Sequence, residues 1–415
     1  MKLEKITLAN YRGFDQIDID FADDVTVLAG VNGVGKSGVL EALTSALSLA
    51  MPKFTASKES TLGLSDTDVQ SGKPGLSMSV TLLLDAAKVI VDLTRAAPLA
   101  ADKVEILIKR RDDLRFAIRE TKKGSKEALD INDRIRIIED QLDQAKDQPT
   151  VRVLPDDTST DREAFVAQQK GLSRQPFAVY YSTKRLLTRL SPTLSNTQDL
   201  DVEIAYKKAL DQLEVSLHEF ANWYRVIESE ATPETRERLF QQLEQAINTF
   251  LPEVLDLSFH DSLPPRFSVS KNGQLLFLEQ LSDGERGLLA LLFDLTRRLA
   301  LANPDSVNPI AEGVALVLID EIELHLHPKW QRDVLQRLCD IFSACQFVVT
   351  THSPLVLGEV PAGCVRFLEF VDEKVCVIVP SEAYGMDANR MLQEYMGAPV
   401  RNRQVDAALN NLFEL

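Results

Sequence analysis

Apolar spacing changes period several times along the 415 residues of the chain. KLEKITLANYRGF and QIDIDFADDVTVLAG alternate apolar and polar positions, the two-residue period of half-buried strands. VNGVGKSGVLEALTSALSLA then runs through glycines into helical spacing, and residues 51 to 76 predict a loop rich in Ser, Thr, Gly and Asp. SMSVTLLLD predicts another strand. Residues 102 to 147 are dense in charge with apolar residues at helical spacing. They predict two helices broken near Lys122-Lys123-Gly124, a hairpin far too short for a long coiled-coil arm. PTVRVLPDDTSTDRE predicts a strand followed by loop, and FAVYYSTKR, residues 177 to 185, a buried strand leaving into a polar loop.

Residues 202 to 250 predict two more helices around Pro233. VLDLSFHD, PRFSVSK and QLLFLEQ then predict a meander with Asn272-Gly273 as its tight turn. LLALLFDLTRRLALA is helical. GVALVLID and QFVVTTHSP are fully apolar, as strands of a parallel sheet covered on both faces are. Between them PKWQRDVLQRLCDIF predicts a helix with Pro328 in its first turn. CVRFLEF and KVCVIVP predict a last hairpin, and the tail is helical. The expected fold class is α/β: a mostly parallel core sheet with an antiparallel β subdomain and a helical insertion. Four parts are expected. They are an N-terminal lobe (1–100), a helical insertion with an embedded core strand at about 177–185 (101–250), a C-terminal lobe (251–380) and a helical tail (381–415).

Composition narrows the classes. The chain is 45% hydrophobic and 26% charged, ordinary for a folded domain. No apolar run approaches the roughly 18 residues of a membrane helix, and the N-terminus lacks the apolar core of a signal peptide. A cytoplasmic protein with no membrane partner is expected. Cys339, Cys345, Cys364 and Cys376 form no C-x-x-C pair and read as free thiols. The net charge of −16 argues against nonspecific coating of nucleic acid. Locally, residues 103 to 126 hold nine Lys or Arg against four acids. Lys109, Arg110, Arg111, Lys122 and Lys123 there suit either DNA phosphates or a solvated helix face. Arg185 and Arg189 could extend such a surface, and Trp223 and Trp330 read as packing residues.

Four motifs carry chemistry. GVNGVGKS, Gly30 to Ser37, follows an apolar strand and opens a helix, the context of a Walker A loop. Gly30, Asn32, Gly33 and Gly35 leave backbone N–H groups free to close around phosphates, and the helix N-terminus adds its positive end. Lys36 reaches the β- and γ-phosphates of ATP, and Ser37 ligates Mg²⁺. In ALVLIDE, Asp320 at the strand end also holds Mg²⁺, and Glu321 orients or deprotonates the attacking water. TTHSP places His352 to sense the γ-phosphate. LSDGE places Ser282 and Gly284 at a helix start, a second anion site. In DEIELHLHP, His325 and His327 alternate with leucines. That pairing raises a metal site, although no third ligand adjoins.

GVNGVGKS, LSDGE, ALVLIDE and TTHSP, in that order, resemble an ABC-type ATPase. The opening NYRGF and the run DEIELHLHP are similar to the soluble branch with the SMC proteins, RecF, the double-strand-break ATPases and the OLD-like ATPases. The resemblance implies that Asn10 and Arg12 lie near the nucleotide. It implies that Ser282 and Gly284 complete the site of a partner subunit, so that the active unit is a homodimer or higher oligomer around two ATP. It also implies that the His325–His327 segment is a D-loop crossing the dimer interface. YYSTKR and the tail from YGMDANRM onward are similar to the ATPase subunit of Septu-type anti-phage systems, which works with an HNH nuclease. Two departures stand out. No Q-loop glutamine is evident, with Ser182 to Arg185 in its place. And the residues after the last hairpin leave no room for an OLD-type nuclease domain, so a partner would do any cutting.

The function expected is ATP hydrolysis that gates a nuclease-bearing defence complex acting on nucleic acid. DNA repair or recombination of the SMC or RecF kind is an alternative. So is a scaffold that uses ATP as glue with little turnover. A transporter subunit fits poorly, because too many residues separate the glycine-rich loop from the LSDGE motif.

Overall fold

The computed structural model describes residues 1–85, 87–96, 101–121, 126–143, 148–155, 162–185, 190, 201–211 and 215–395. Lys122, Lys123, Arg189 and the tail from 396 to 415 lie outside the described residues.

A six-stranded sheet forms the centre. Its members are β3 (Val25–Gly30), β7 (Phe177–Tyr181), β11 (Ala315–Ile319), β12 (Gln346–Thr351), β13 (Val365–Val371) and β14 (Lys374–Ile378). The order is β14-β13-β3-β12-β11-β7, with every pairing parallel except the β13–β14 hairpin. The apolar runs have the expected cause: β3, β11 and β12 are buried at every position. Alternate residues serve opposite cores. Leu28, Leu316, Leu318 and Val348 face one, while Val27, Val317, Ile319 and Val349 face the other.

The first core is filled by α1 (Lys36–Phe54) and covered by an antiparallel sheet of order β2-β1-β4-β5-β6. Its strands are β1 (Lys2–Tyr11), β2 (Phe14–Asp20), β4 (Gly75–Leu84), β5 (Ala87–Ala96) and β6 (Gln148–Pro155). The Gln346 side chain ties the two sheets, donating to the carbonyls of Leu3 and Ala22 and accepting from the Leu3 amide. The hairpin of α2 (Ala101–Glu120) and α3 (Lys126–Asp143) is present as expected. The strand after it, β6, returns to pair with β5. The antiparallel sheet therefore extends past residue 100, and the hairpin is an excursion from that sheet.

The second core is packed by α5 (Leu217–Glu230), α6 (Pro233–Phe250), α7 (Asp283–Ala302) and α9 (Pro328–Ile341). Phe220 stacks on Phe293 at 4.1 Å between ring centroids, and Trp223 is fully buried beside them, a packing residue as expected. The meander β8 (Val254–His260), β9 (Arg266–Lys271), β10 (Gln274–Phe277) adjoins this layer. Its Asn272-Gly273 turn has positive φ at both residues, the conformation that makes Asn-Gly the preferred pair. Short helices α8 (Pro309–Glu312) and α10 (Pro354–Leu357) link elements, and α11 (Ala388–Glu394) packs on α10.

Three segments depart from the reading of the sequence. β5 was not among the expected strands. Arg162 and Glu163, expected as the end of a loop, begin α4 (Arg162–Lys170), a helix not among the expected elements. Residues 202 to 211, expected within a helix, form a 3₁₀ turn at Val202–Ala205 and further turns; α5 begins at Leu217, capped by Ser216.

Candidate ATP and magnesium site

The site is built where β3, β11 and β12, neighbours in the sheet, end together. In open α/β sheets that edge is where ligands bind. The loop after β3 turns sharply into α1, and two glycines there are required by contact. A Cβ on Gly30 (φ +142) would lie 2.3 Å from the Leu368 carbonyl. One on Gly35 (φ +107) would lie 2.4 Å from the Phe14 ring. Gly33 is left-handed with open space around it, and Asn32 is exposed at the loop tip.

Lys36 folds back over this loop. Its Nζ donates to the carbonyls of Gly30 (2.9 Å) and Val31 (3.1 Å) and lies 3.4 Å from His352 Nδ1. Burial pushes its pKa down to about 8, against the opposing pull of Asp320, Glu323 and Glu321. His352 is lowered as well, by burial first and by Lys36 second. A neutral imidazole accepting at Nδ1 from the Lys36 ammonium fits both.

Ser37 Oγ lies 3.0 Å from Asp320 Oδ1, to which Thr350 Oγ1 also donates at 2.6 Å. Neighbouring vertices of an octahedron with metal–oxygen bonds of about 2.0–2.1 Å are about 2.9 Å apart. A hydroxyl and a carboxylate oxygen at this spacing suit a hard divalent cation such as Mg²⁺. Glu321 stands next, in a left-handed backbone (φ 46). Its amide donates to Thr350 Oγ1 at 2.7 Å, and its carbonyl accepts from the Arg185 guanidinium.

Several of these groups lie in the motif-bearing stretches of the sequence without a role assigned to them there. Glu323 accepts from Thr351 Oγ1 at 2.8 Å and from the His352 amide, so one carboxylate holds the loop that presents His352. Thr350 serves Asp320 and Glu321 together. Arg185 reads in the sequence as a candidate member of a nucleic-acid surface and as the last residue of the loop in the Q-loop's place. It is instead only 7% exposed, turned inward against the ends of β7 and β11. A basic loop residue in a linear sequence does not reveal which way it faces.

Arg12 and Asn10 are both left-handed, with φ of 49 and 54. Asp68 fixes Arg12 at 2.8 Å and Glu41 of α1 pairs with it, beside Gly38. Arg12 thus lies against the first turns of α1, while the Asn10 carbonyl accepts from the Gln70 amide.

Ser282 and Gly284 are elsewhere. Ser282 caps α7, and Glu285 returns the bond to the Ser282 amide and hydroxyl while pairing with Lys271 at 2.6 Å. Among the described residues no hydrogen bond joins this cap to the 30–37 loop. A Cβ on Gly284 would lie 2.4 Å from the His325 carbonyl, so α7 abuts the segment that follows Asp320. That segment is a series of turns and not a strand. His325 has φ 61, and His327 caps α9, its Nδ1 accepting from the Lys329 amide. The two histidines do not share a strand face. Among the described residues no group of three His, Cys, Asp or Glu is placed to hold a metal. No helix of the described residues is long and apolar enough to cross a membrane.

The profile of the AAA ATPase domain family matches residues 1–357. The chain belongs to that family. This ATPase-family chain is 28% identical over 401 residues to the Retron Ec83 probable ATPase of Escherichia coli, covering 89% of this chain and 72% of that one. It is 26% identical to the Retron Vc95 probable ATPase of Vibrio cholerae serotype O1 biovar El Tor, covering 100% and 83%. A local match, 40% over 101 residues, joins 24% of this chain to 14% of the Septu protein PtuA of Bacillus mycoides (strain KBAB4). Among solved structures, the Smc head bound to the C-winged helix domain of ScpA aligns with a TM-score of 0.50 at 13% identity. That alignment covers 91% of this chain and 98% of the head. At such identity the likeness is one of fold, the α/β head of the SMC kind; by sequence this chain is similar to the two retron probable ATPases and, locally, to PtuA.

Proposed function

We propose that this chain hydrolyses ATP at the ends of β3, β11 and β12, and that two copies close head to head around two ATP. The loop amides and Lys36 hold the phosphates. Ser37 and Asp320 hold Mg²⁺, which when bound neutralises phosphate charge. Water attacks the γ-phosphorus, the bond from that phosphorus to the bridging oxygen breaks, and ADP leaves with that oxygen. The proton of the water passes to Glu321. His352, neutral and with Nδ1 turned to Lys36, donates from Nε2–H to a γ-phosphate oxygen. Arg12, against α1, lies near the nucleotide with Asn10 behind it. Ser282 and Gly284 complete the partner's site.

The observation that carries this reading is the 3.0 Å approach of Ser37 to Asp320 with Lys36 in the adjoining turn. Residues far apart in sequence, each with the chemistry of one part of a phosphoryl-transfer site, meet at one strand edge. The retron and Septu relatives support a role in a defence complex; a nuclease, HNH in type, as the partner that acts on nucleic acid is carried only by the likeness of YYSTKR and the tail to Septu-type systems. The test is Glu321→Gln. It is expected to bind ATP as the wild type does and to lose turnover by at least about 10²-fold, the scale of a lost proton acceptor. Wild-type turnover in this variant would remove Glu321 from the role of base.

A further inference from the structure

The loop leaving β7 carries a cation for which neither phosphate binding nor a nucleic-acid surface accounts. The Arg185 guanidinium donates to the carbonyls of Asp320 and Ser182 through one nitrogen and to the Glu321 carbonyl, at 2.6 Å, through the other. Its planar fork thereby fixes two successive peptide carbonyls in a defined relation, which the single point charge of a lysine cannot do. Burying such a group is costly unless its donors are matched and opposite charge stands close. Both conditions are met in part: three carbonyls accept from the terminal nitrogens, and the charges of Glu323, Asp320 and Glu321 favour the cation. Burial lowers its pKa to about 10, which leaves it charged at neutral pH.

The main chain that Arg185 holds is not relaxed. Glu321 is left-handed, a conformation that costs any residue with a Cβ and persists only where the surroundings impose it. The constraint comes from both sides. Thr350 Oγ1 takes the Glu321 amide and Arg185 takes the Glu321 carbonyl. The direction in which the Glu321 side chain leaves the backbone depends on that pair. The phosphate loop, by contrast, is shaped by Gly30, Gly35 and Lys36, and Arg185 makes no bond to it.

We propose that Arg185 is a positioning residue for hydrolysis. By gripping the carbonyls of Asp320 and Glu321 it holds the left-handed backbone that aims the Glu321 carboxylate. This rests on the reading of Glu321 as the base. It also separates two quantities that a general structural role would move together: ATP affinity, set at the phosphate loop, and turnover, set at Glu321.

The experiment compares wild type with Arg185→Lys, which keeps the charge and loses the fork, and Arg185→Met, which loses both. Three quantities are measured: ATP affinity, kcat, and hydrogen exchange of the peptide spanning residues 320–325 in nucleotide-free protein. Both variants are expected to bind ATP within about threefold of wild type and to lose about 10²-fold in kcat, the scale of an ångström of misplacement. Amides from 321 to 324 should exchange at least about tenfold faster. Unchanged exchange in Arg185→Lys overturns the grip on the backbone. Faster exchange with wild-type kcat overturns the positioning role and leaves the ATPase reading intact. A wild type without turnover removes both. If Arg185→Met does not fold, Arg185→Lys carries the same three expectations alone.

Discussion

Lys36 has two environments to satisfy. In the structure it donates to its own loop's carbonyls, and burial holds its pKa at about 8, so at that pH half the molecules carry it neutral. The sign of the consequence follows. Phosphates favour the ammonium, so ATP binding above pH 8 draws a proton onto Lys36. The affinity therefore falls as pH rises through the free-protein value, by up to about tenfold per pH unit. Calorimetry in buffers of different ionisation enthalpy is expected to show proton uptake at pH 8.5 and much less at pH 7. An affinity that stays flat to pH 9.5 would mean that Lys36 keeps its charge without the nucleotide. The residues of this loop were readable in the sequence because their spacing is itself the chemistry. The residues that hold the site in shape were not. Glu323, Thr350 and Arg185 lie in DEIELHLHP, in TTHSP and at the end of the Ser182 to Arg185 loop, but they act through hydrogen bonds to main chain or to residues across the sheet, and spacing along the chain does not show which groups they bind.

Between elements, α7 shows how one short motif does two things. Its N-terminus is closed by the reciprocal bonds of Ser282 and Glu285, and Glu285, almost wholly buried, also pairs with Lys271 of the meander. Glu285→Ala removes the cap's return bond and strands Lys271. A loss of roughly 1.5–3 kcal/mol is expected, the range for hydrogen bonds to a charged group. Chemical denaturation would measure it, and a change below about 0.5 kcal/mol would show that the cap is replaceable. Gly284 is constrained by packing as well as by the anion site expected from the sequence, because the His325 carbonyl occupies the space where a side chain would stand. Gly284→Ala must displace backbone and is expected to cost about 1–3 kcal/mol. A melting temperature equal to wild type would show that the turns from 321 to 327 yield freely. The apolar strands and the meander were legible from period and turn chemistry. The return of β6 to β5 was not, because pairing across the α2–α3 excursion leaves no local trace.

For the whole molecule, the position of α7 decides what the head can do alone. On the proposed reading each chain would have its own phosphate loop, Mg²⁺ ligands and base at one strand edge. Ser282 lies at the end of a helix packed on α5, α6 and α8, with no bond to that loop among the described residues. A helix N-terminus with no bond to its own chain's phosphate loop among the described residues would suit the nucleotide of a second copy. A two-fold pairing uses both such termini at once. Substitutions on either side should therefore separate. In the Glu321→Gln background, ATP is expected to convert monomer to dimer by mass in solution. Adding Lys36→Ala should abolish both ATP binding and dimer. Adding Ser282→Arg should abolish the dimer while the monomer binds ATP within about threefold of its parent, since its own loop is untouched. If Ser282→Arg instead lost ATP binding as a monomer, Ser282 would belong to its own chain's site, and the two-site dimer would give way to a self-contained head. If it dimerised normally with ATP, the interface would lie on another face, and the hairpin of α2 and α3 would be the next surface to test.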